Sequence, residues 1–414
     1  MVKKLSIQFL VFLLLFEVST YVYFRFISND RQNLKNYIQQ RISVNSYSFN
    51  SKVGLVTPKP KSYIVHYNTE FEDKFLAQDI FNLGLGFFDD GLDDRKIKSV
   101  AIGDSFTKGV GSIDNLKNGW VELVEKDMED IDIANLGGFG SSVHTQKYFY
   151  DQLKSHIDHN VIIYNFFSGG DYIENLDDRS FQYYIKRKSN ELSDKELQKM
   201  INEYNGRFGF KFYLEYLNNY NYRSYSIYFL FKIFDLLLVK DYFKKFDHYQ
   251  YKIPGNEARL NIVEEDLYVE TEEFGTKNPA LKYTVRCPDN KNYCYKHDHI
   301  FENEKLKNKI VDNTAIHINN FFKEADDIKE FIVVIHPSRR NFYPDLTKIN
   351  YNELDTRLIQ KLDKKIKIIY LKEDLLSYHN ESGNIFYKRD GHYTVYGYKV
   401  VSEIISENLK KIFN

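Results

Sequence analysis

The chain predicts an α/β fold: a five-stranded parallel sheet with helices packed on both sides. Two observations carry that prediction. The runs IKSVAIGDS, IDIANLGG, VIIYNFF, EFIVVIHPS and IKIIYLKE are short and rich in Ile, Val and Phe, as strands buried on both faces read. Between them lie helical stretches near Trp120 to Met128, His144 to His156, Thr314 to Lys323 and Asn352 to Lys365, with a last one from about Thr394 to Ile412. Strand alternating with helix implies parallel pairing, and in such sheets ligands bind outside the carboxyl ends of the strands, near a switch point in strand order.

Ahead of this domain, Lys3 and Lys4 precede an almost wholly apolar run from Leu5 to Phe24. Its length matches a bilayer-spanning helix. The segment TYVYFRFISND that follows offers no small-x-small cleavage site, so a retained transmembrane anchor is expected over 1–27 rather than a removed signal peptide. The two lysines favour a cytoplasmic amino terminus and an extracytoplasmic body, although Arg25, Arg31 and Lys35 weaken the asymmetry. Glu17 lies inside the run, where a carboxyl is costly unless it meets a partner or the interface. Residues 28–95, with PKPKS near Pro58, read as a juxtamembrane stalk and irregular lead-in, and 96–414 as the main domain.

A long insertion at about 176–299 interrupts the alternation. It carries a polar helix near Asp194 to Tyr204 and the segment SIYFLFKIFDLLLV, Ser226 to Val239. That segment is too short and too charged, at Lys232 and Asp235, to span a membrane, and suits a core or interfacial helix. Cys287 and Cys294 close a small loop and would pair in an oxidising compartment or remain as thiols in a reducing one.

Charge excludes one class of partner. With 57 Lys and Arg against 58 Asp and Glu, no basic field argues for nucleic acid. The 34 tyrosines and 33 phenylalanines suit ordinary core packing, with a stacking surface for sugars or lipids as the alternative.

The chemistry lies at the strand ends. The first strand delivers Gly103-Asp104-Ser105, the second the glycine-rich turn NLGGFGSS, Asn135 to Ser142, and the third SGGDYIEN, Ser168 to Asn175. Near the carboxyl terminus, RDGHYTVYG places Asp390 and His392 just before the last helix. A histidine there can act as base toward a serine hydroxyl, and a neighbouring aspartate can fix its tautomer. Gly, Asp and Ser are also ordinary turn and capping residues, so partners elsewhere in the chain must decide between the two readings. His336, Arg339 and Arg340 follow the fourth strand at the same sheet edge and could meet an anionic or carbohydrate substrate, or form a surface turn. His297 and His299 have a metal-like spacing but no evident third ligand, and no metal or cofactor is expected.

In GDSFTKG, NLGGFG and DGHYTVYG the chain resembles the SGNH family, or GDSL-type hydrolases, over roughly 96–178 and 336–413. The resemblance implies a flavodoxin-like three-layer sandwich. It implies Ser105 as nucleophile, His392 as base and Asp390 as its orienting acid. Oxyanion donors would be the N–H groups of Ser105 and Gly140, with the third-block position falling at Gly170. Asp104, His336 and Arg339 are the expected substrate contacts. An amino-terminal anchor containing a glutamate is similar to that of membrane-tethered members.

One block departs from the pattern. Gly169-Gly170-Asp171 stands where the family carries Asn-Asp, so a side-chain amide donor is missing at Gly170. Losing one such donor typically costs about a hundredfold to a thousandfold in turnover. Either Asn165 or Asn175 supplies the amide from a shifted position, or the enzyme works slowly with backbone donors, or the site is inactive; weakened or altered catalysis is favoured. The expected function is a membrane-anchored extracytoplasmic serine esterase or O-acyltransferase acting on acyl esters of cell-envelope glycans or lipids. The alternative is a catalytically weak or inactive binding and assembly component of an envelope complex.

Overall fold

The structure is a computed structural model. It describes residues 2–22, 40–42, 47–67, 71–91, 93, 97–138, 143–174, 193, 195–196, 304–325, 327–342, 350–382, 385–387 and 391–414. The expected insertion at about 176–299, its two named segments, Cys287, Cys294, His297 and His299 lie almost entirely or wholly outside these residues.

Ten strands are described. In the lead-in, β1 (Gln40–Ile42), β4 (Tyr63–Tyr67) and β5 (Glu72–Leu76) form an antiparallel sheet, and β2 (Tyr47–Asn50) pairs with β3 (Leu55–Pro58) as a hairpin. The main sheet comprises β6 (Ile97–Ile102), β7 (Ile131–Asn135), β8 (Val161–Phe167), β9 (Glu330–His336) and β10 (Lys367–Tyr370). All its pairings are parallel, in the spatial order β10-β9-β8-β6-β7. Numbering these five by sequence gives 2-1-3-4-5, the order of flavodoxin-like doubly wound sheets. All five expected strands are present.

Alternation along the strands sends side chains to two separate cores. On one face Val100, Ile102, Ile162, Tyr164, Val333 and Ile335 pack with α5 (Val143–Leu153), α7 (Glu304–Glu324) and α8 (Tyr351–Lys361). On the other, Ala101, Ile133, Ile163, Ile332 and Val334 pack with α4 (Trp120–Asp127), α9 (Lys372–Ser382) and α10 (Val395–Phe413). Three short helices are also described, α2 (Ser105–Lys108), α3 (Asn115–Asn118) and α6 (Asp171–Glu174). Helix α7 begins ten residues before its expected start, with Ile310 and Val311 already buried in the first of these cores. Helix α9 was not expected at all, since LKEDLLSYHNES presents few apolar residues and buries mainly Leu375.

The lead-in departs from expectation over 47–91, which is folded rather than irregular. Ile64, Phe71, Phe75, Ala77 and Phe88 make a third apolar cluster with Val110, just beyond α2. The ammonium of Lys108, on α2, lies 4.6 Å from the centroid of Phe75 and 3.8 Å from that of Phe88, a partner pair for a buried cation. The carboxylate of fully buried Asp73 accepts the N–H groups of Gly111 (2.9 Å) and Ile113 (2.8 Å). Apolar residues are as frequent in this stretch as in the chain as a whole; what the sequence does not show is that they pack against Val110 and Lys108 of the main domain.

At the amino terminus α1 (Val2–Val22) exposes Phe9, Phe12, Leu14 and Leu15. Among the described residues no helix is long and apolar enough to cross a membrane, so the expected anchor gains no support there.

Because Asp73 holds two backbone donors, Asp73→Ala should lower unfolding free energy by about 1–3 kcal/mol, the cost of leaving buried donors unmet. Chemical denaturation of the two proteins measures it.

Candidate active site

The GDSFTKG segment forms the strand-to-helix turn after β6. Gly103 has no room for a side chain: a Cβ there would collide with Thr107 Oγ1 and crowd Asn165. Asp104 is the N-cap of α2, its carboxylate accepting the Phe106 N–H at 2.9 Å, as an N-cap carboxylate does. Gly109 ends the helix in the left-handed region at φ 90°, which a glycine adopts without strain. Ser105 therefore stands at the first position of α2, at the end of the strand flanked by β7 and β8, which is the switch point.

His392 arrives from the other end of the chain. Its loop is pinned by the bridge between Phe386 and Tyr393, by the Tyr387 N–H donating to His392 O (2.8 Å), and by the Tyr387 hydroxyl donating to Gly111 O (2.9 Å). Farther along, the Tyr398 hydroxyl donates to Val110 O at 2.8 Å. These bonds place the ring of His392 beside Phe106, centroids 4.9 Å apart. Its Nε2 lies 2.8 Å from Ser105 Oγ, within hydrogen-bond reach across 287 residues of sequence. Both residues are half-buried. An imidazole so placed can remove the hydroxyl proton and later return it to a leaving group. The Ser105 N–H, the first of α2, has no partner among the described residues. It is thus available to a developing oxyanion.

The other expected site residues divide into three groups. Asp390 and Gly140 lie outside the described residues, as does Asn175. Asp104 and His336, expected to contact substrate, are both buried and engaged internally. Burial pushes the Asp104 carboxyl up to about 6, against the pull of the Phe106 N–H and of His392; it caps α2 and is not presented to solvent. His336 is fully buried, its Nε2 2.9 Å from Asn165 Oδ1 and its Nδ1 3.4 Å from the Tyr393 hydroxyl. Burial holds His336 down to about 3, so it is a neutral core residue. Arg339, half-buried, donates to Tyr387 O at 3.1 Å and runs beside Gly391, which ties it to the loop carrying His392.

The third block is committed to structure. The Asn165 amide donates to Ile102 O (3.2 Å) and Ile163 O (3.1 Å), so it is not the shifted oxyanion donor. The Gly170 N–H donates to Phe167 O at 3.2 Å, and Asp171 accepts the Phe167 N–H at 2.9 Å, closing a turn at the end of β8. Ser168 lies 3.0 Å from buried Asp355, which also accepts from Tyr172 and Tyr370. Phe106 went unnoticed in the sequence, as did Tyr387 and Tyr398. A lone aromatic carries no sign that it will support a catalytic loop.

No family model matches the chain, and no curated protein matches it.

A histidine buried neutral must be protonated when the chain unfolds in acid, so stability attached to it is full above the unfolded value near 6.5 and falls as pH drops toward about 3. Wild type should therefore lose stability relative to His336→Gln over that window, by about 1.4 kcal/mol per pH unit. Unfolding free energies of both proteins across the window provide the check.

Proposed function

We propose that the protein is a serine esterase or O-acyltransferase of SGNH type. The observation that carries the reading is the 2.8 Å approach of Ser105 Oγ to His392 Nε2 at the sheet's switch point. Ser105 attacks the acyl carbonyl while His392 takes its proton. The alkoxide leaves with that proton, and water or a sugar hydroxyl then resolves the acyl-enzyme. Asp390 orients His392, and the Ser105 and Gly140 N–H groups receive the oxyanion. Hydrolysis and transfer differ only in the acceptor that enters.

Turnover is weak by the standard of such enzymes, because Gly170 supplies no side-chain amide and the Asn165 amide is occupied. A membrane-tethered, extracytoplasmic body acting on acyl esters of envelope glycans or lipids is part of the same proposal. That part rests on the sequence, on the apolar run from Leu5 to Phe24 behind Lys3 and Lys4. The same missing amide favours a second reading, a quiet binding or assembly component of an envelope complex.

Fluorophosphonate labelling and hydrolysis of a short-chain aryl ester test the proposal. Wild type should be labelled, and Ser105→Ala should lose both labelling and about a thousandfold or more in turnover. Gly170→Asn should raise turnover. Well-folded wild type that neither labels nor hydrolyses would leave the quiet component.

A further inference from the structure

A cluster of carboxylates lies apart from the serine and histidine, where the lead-in meets α4. Asp89, Asp90 and Glu122 each bring an oxygen to within 4.8 Å of the others. Asp89 and Glu122 are buried and Asp90 is exposed. Asp90 and Glu122 line a cavity of about 280 Å³, together with Asp93, Glu125 and Asp132. Lys126 lines the same cavity but donates to Lys117 O.

Two features separate this cluster from an ordinary acidic patch. Glu122 is only 3 % exposed, and its Oε1 is buried with no hydrogen-bond partner. A buried carboxylate left unpaired is costly, so it must take up a proton or a cation. Asp89, in contrast, is rigidly held: its Oδ1 accepts the Gly91 N–H at 2.9 Å and its Oδ2 the Asn135 N–H at 2.6 Å. Each of those oxygens keeps a further lone pair for a ligand. Burial pushes the Glu122 carboxyl up to about 9 and that of Asp89 up to about 7, with neighbouring carboxylates adding to both.

The donors are all hard oxygens, which suits calcium, magnesium or manganese rather than zinc or copper. Ligand supply selects among these. Calcium takes six to eight oxygens in flexible geometry, whereas magnesium keeps several waters and is held by one or two carboxylates. Three carboxylates gathered within 4.8 Å of one another, with three more lining the adjoining cavity, suit the larger ion.

We propose that Asp89, Asp90 and Glu122 form a calcium site that fastens the end of the lead-in to α4 and, through the Asn135 N–H, to β7. Asp90 stands at the solvent side as the entry ligand, and Glu122 closes the site from within.

Isothermal titration and thermal unfolding of the full chain in detergent, stripped with chelator, test this. Calcium chloride to about 10 mM should bind and raise the unfolding midpoint by at least about 3 °C, with magnesium chloride weaker. Asp90→Asn, at an exposed position that should fold normally, should weaken calcium binding at least tenfold, and Glu122→Gln should abolish it. Three results would overturn the proposal: no calcium binding by wild type, an equal shift from sodium chloride at matched ionic strength, or undiminished binding in both variants. The first of these, together with a higher metal-free midpoint for Glu122→Gln, would leave only a proton-sharing group of carboxyls.

Discussion

The pairing of β6 on both of its edges is the constraint from which the candidate site follows. With β7 on one side and β8 on the other, β6 is where the order of the sheet reverses, and the connections leave on opposite faces. In such sheets ligands bind beyond the carboxyl end of the strand at the switch point, and Ser105 is the first residue of the helix that starts there. Had β6 been an edge strand, the same GDS turn would have faced solvent with no opposing loop. His392, just before α10, instead meets that strand end, and the Ser105 to His392 contact results.

The lead-in supports this arrangement from below. Its aromatic rings Phe75 and Phe88 receive Lys108, one turn beyond Ser105, and Asp73 gathers the backbone of Gly111 and Ile113. Gly111 in turn accepts the hydroxyl of Tyr387 from the histidine loop. The lead-in also meets the histidine loop directly, the ring centroids of Phe71 and Tyr387 lying 4.5 Å apart, so both halves of the site are tied to it. Charge is buried to do this, and it is tolerated because each group meets rings or backbone donors at close range.

Polar residues at the strand ends have been drawn inward to satisfy one another. Asn165 spans β6 and β8 through two carbonyls and still accepts from His336; Ser168 and two tyrosines converge on Asp355. Each pairing removes a candidate from the site, since a buried amide or hydroxyl cannot leave its partner without a penalty of about 1–3 kcal/mol. Among the described residues, what is left at the candidate site is small: a hydroxyl, an imidazole and the first N–H of α2. On the proposed reading, the oxyanion is held by backbone dipoles more than by side-chain donors.

The five strands, most helices and the pairing of an early serine with a late histidine were all legible in the order of residues. Apolar runs of strand length and glycine-rich turns are local properties, and a strand-helix alternation admits few topologies. The fold of residues 47–91 was not legible, because Asp73, Phe75 and Phe88 acquire their roles only against Lys108 and Gly111, far along the chain. His336 shows the same limit from the other direction. Its place after a strand suggested a surface contact, yet the neighbours Asn165 and Tyr393 put it in the core. Sequence by itself determined which groups could react and on which edge of the sheet they would stand. Only the tertiary structure decided which of them meet at the candidate site, because burial and hydrogen-bond partners belong to the packed chain and not to any segment of it.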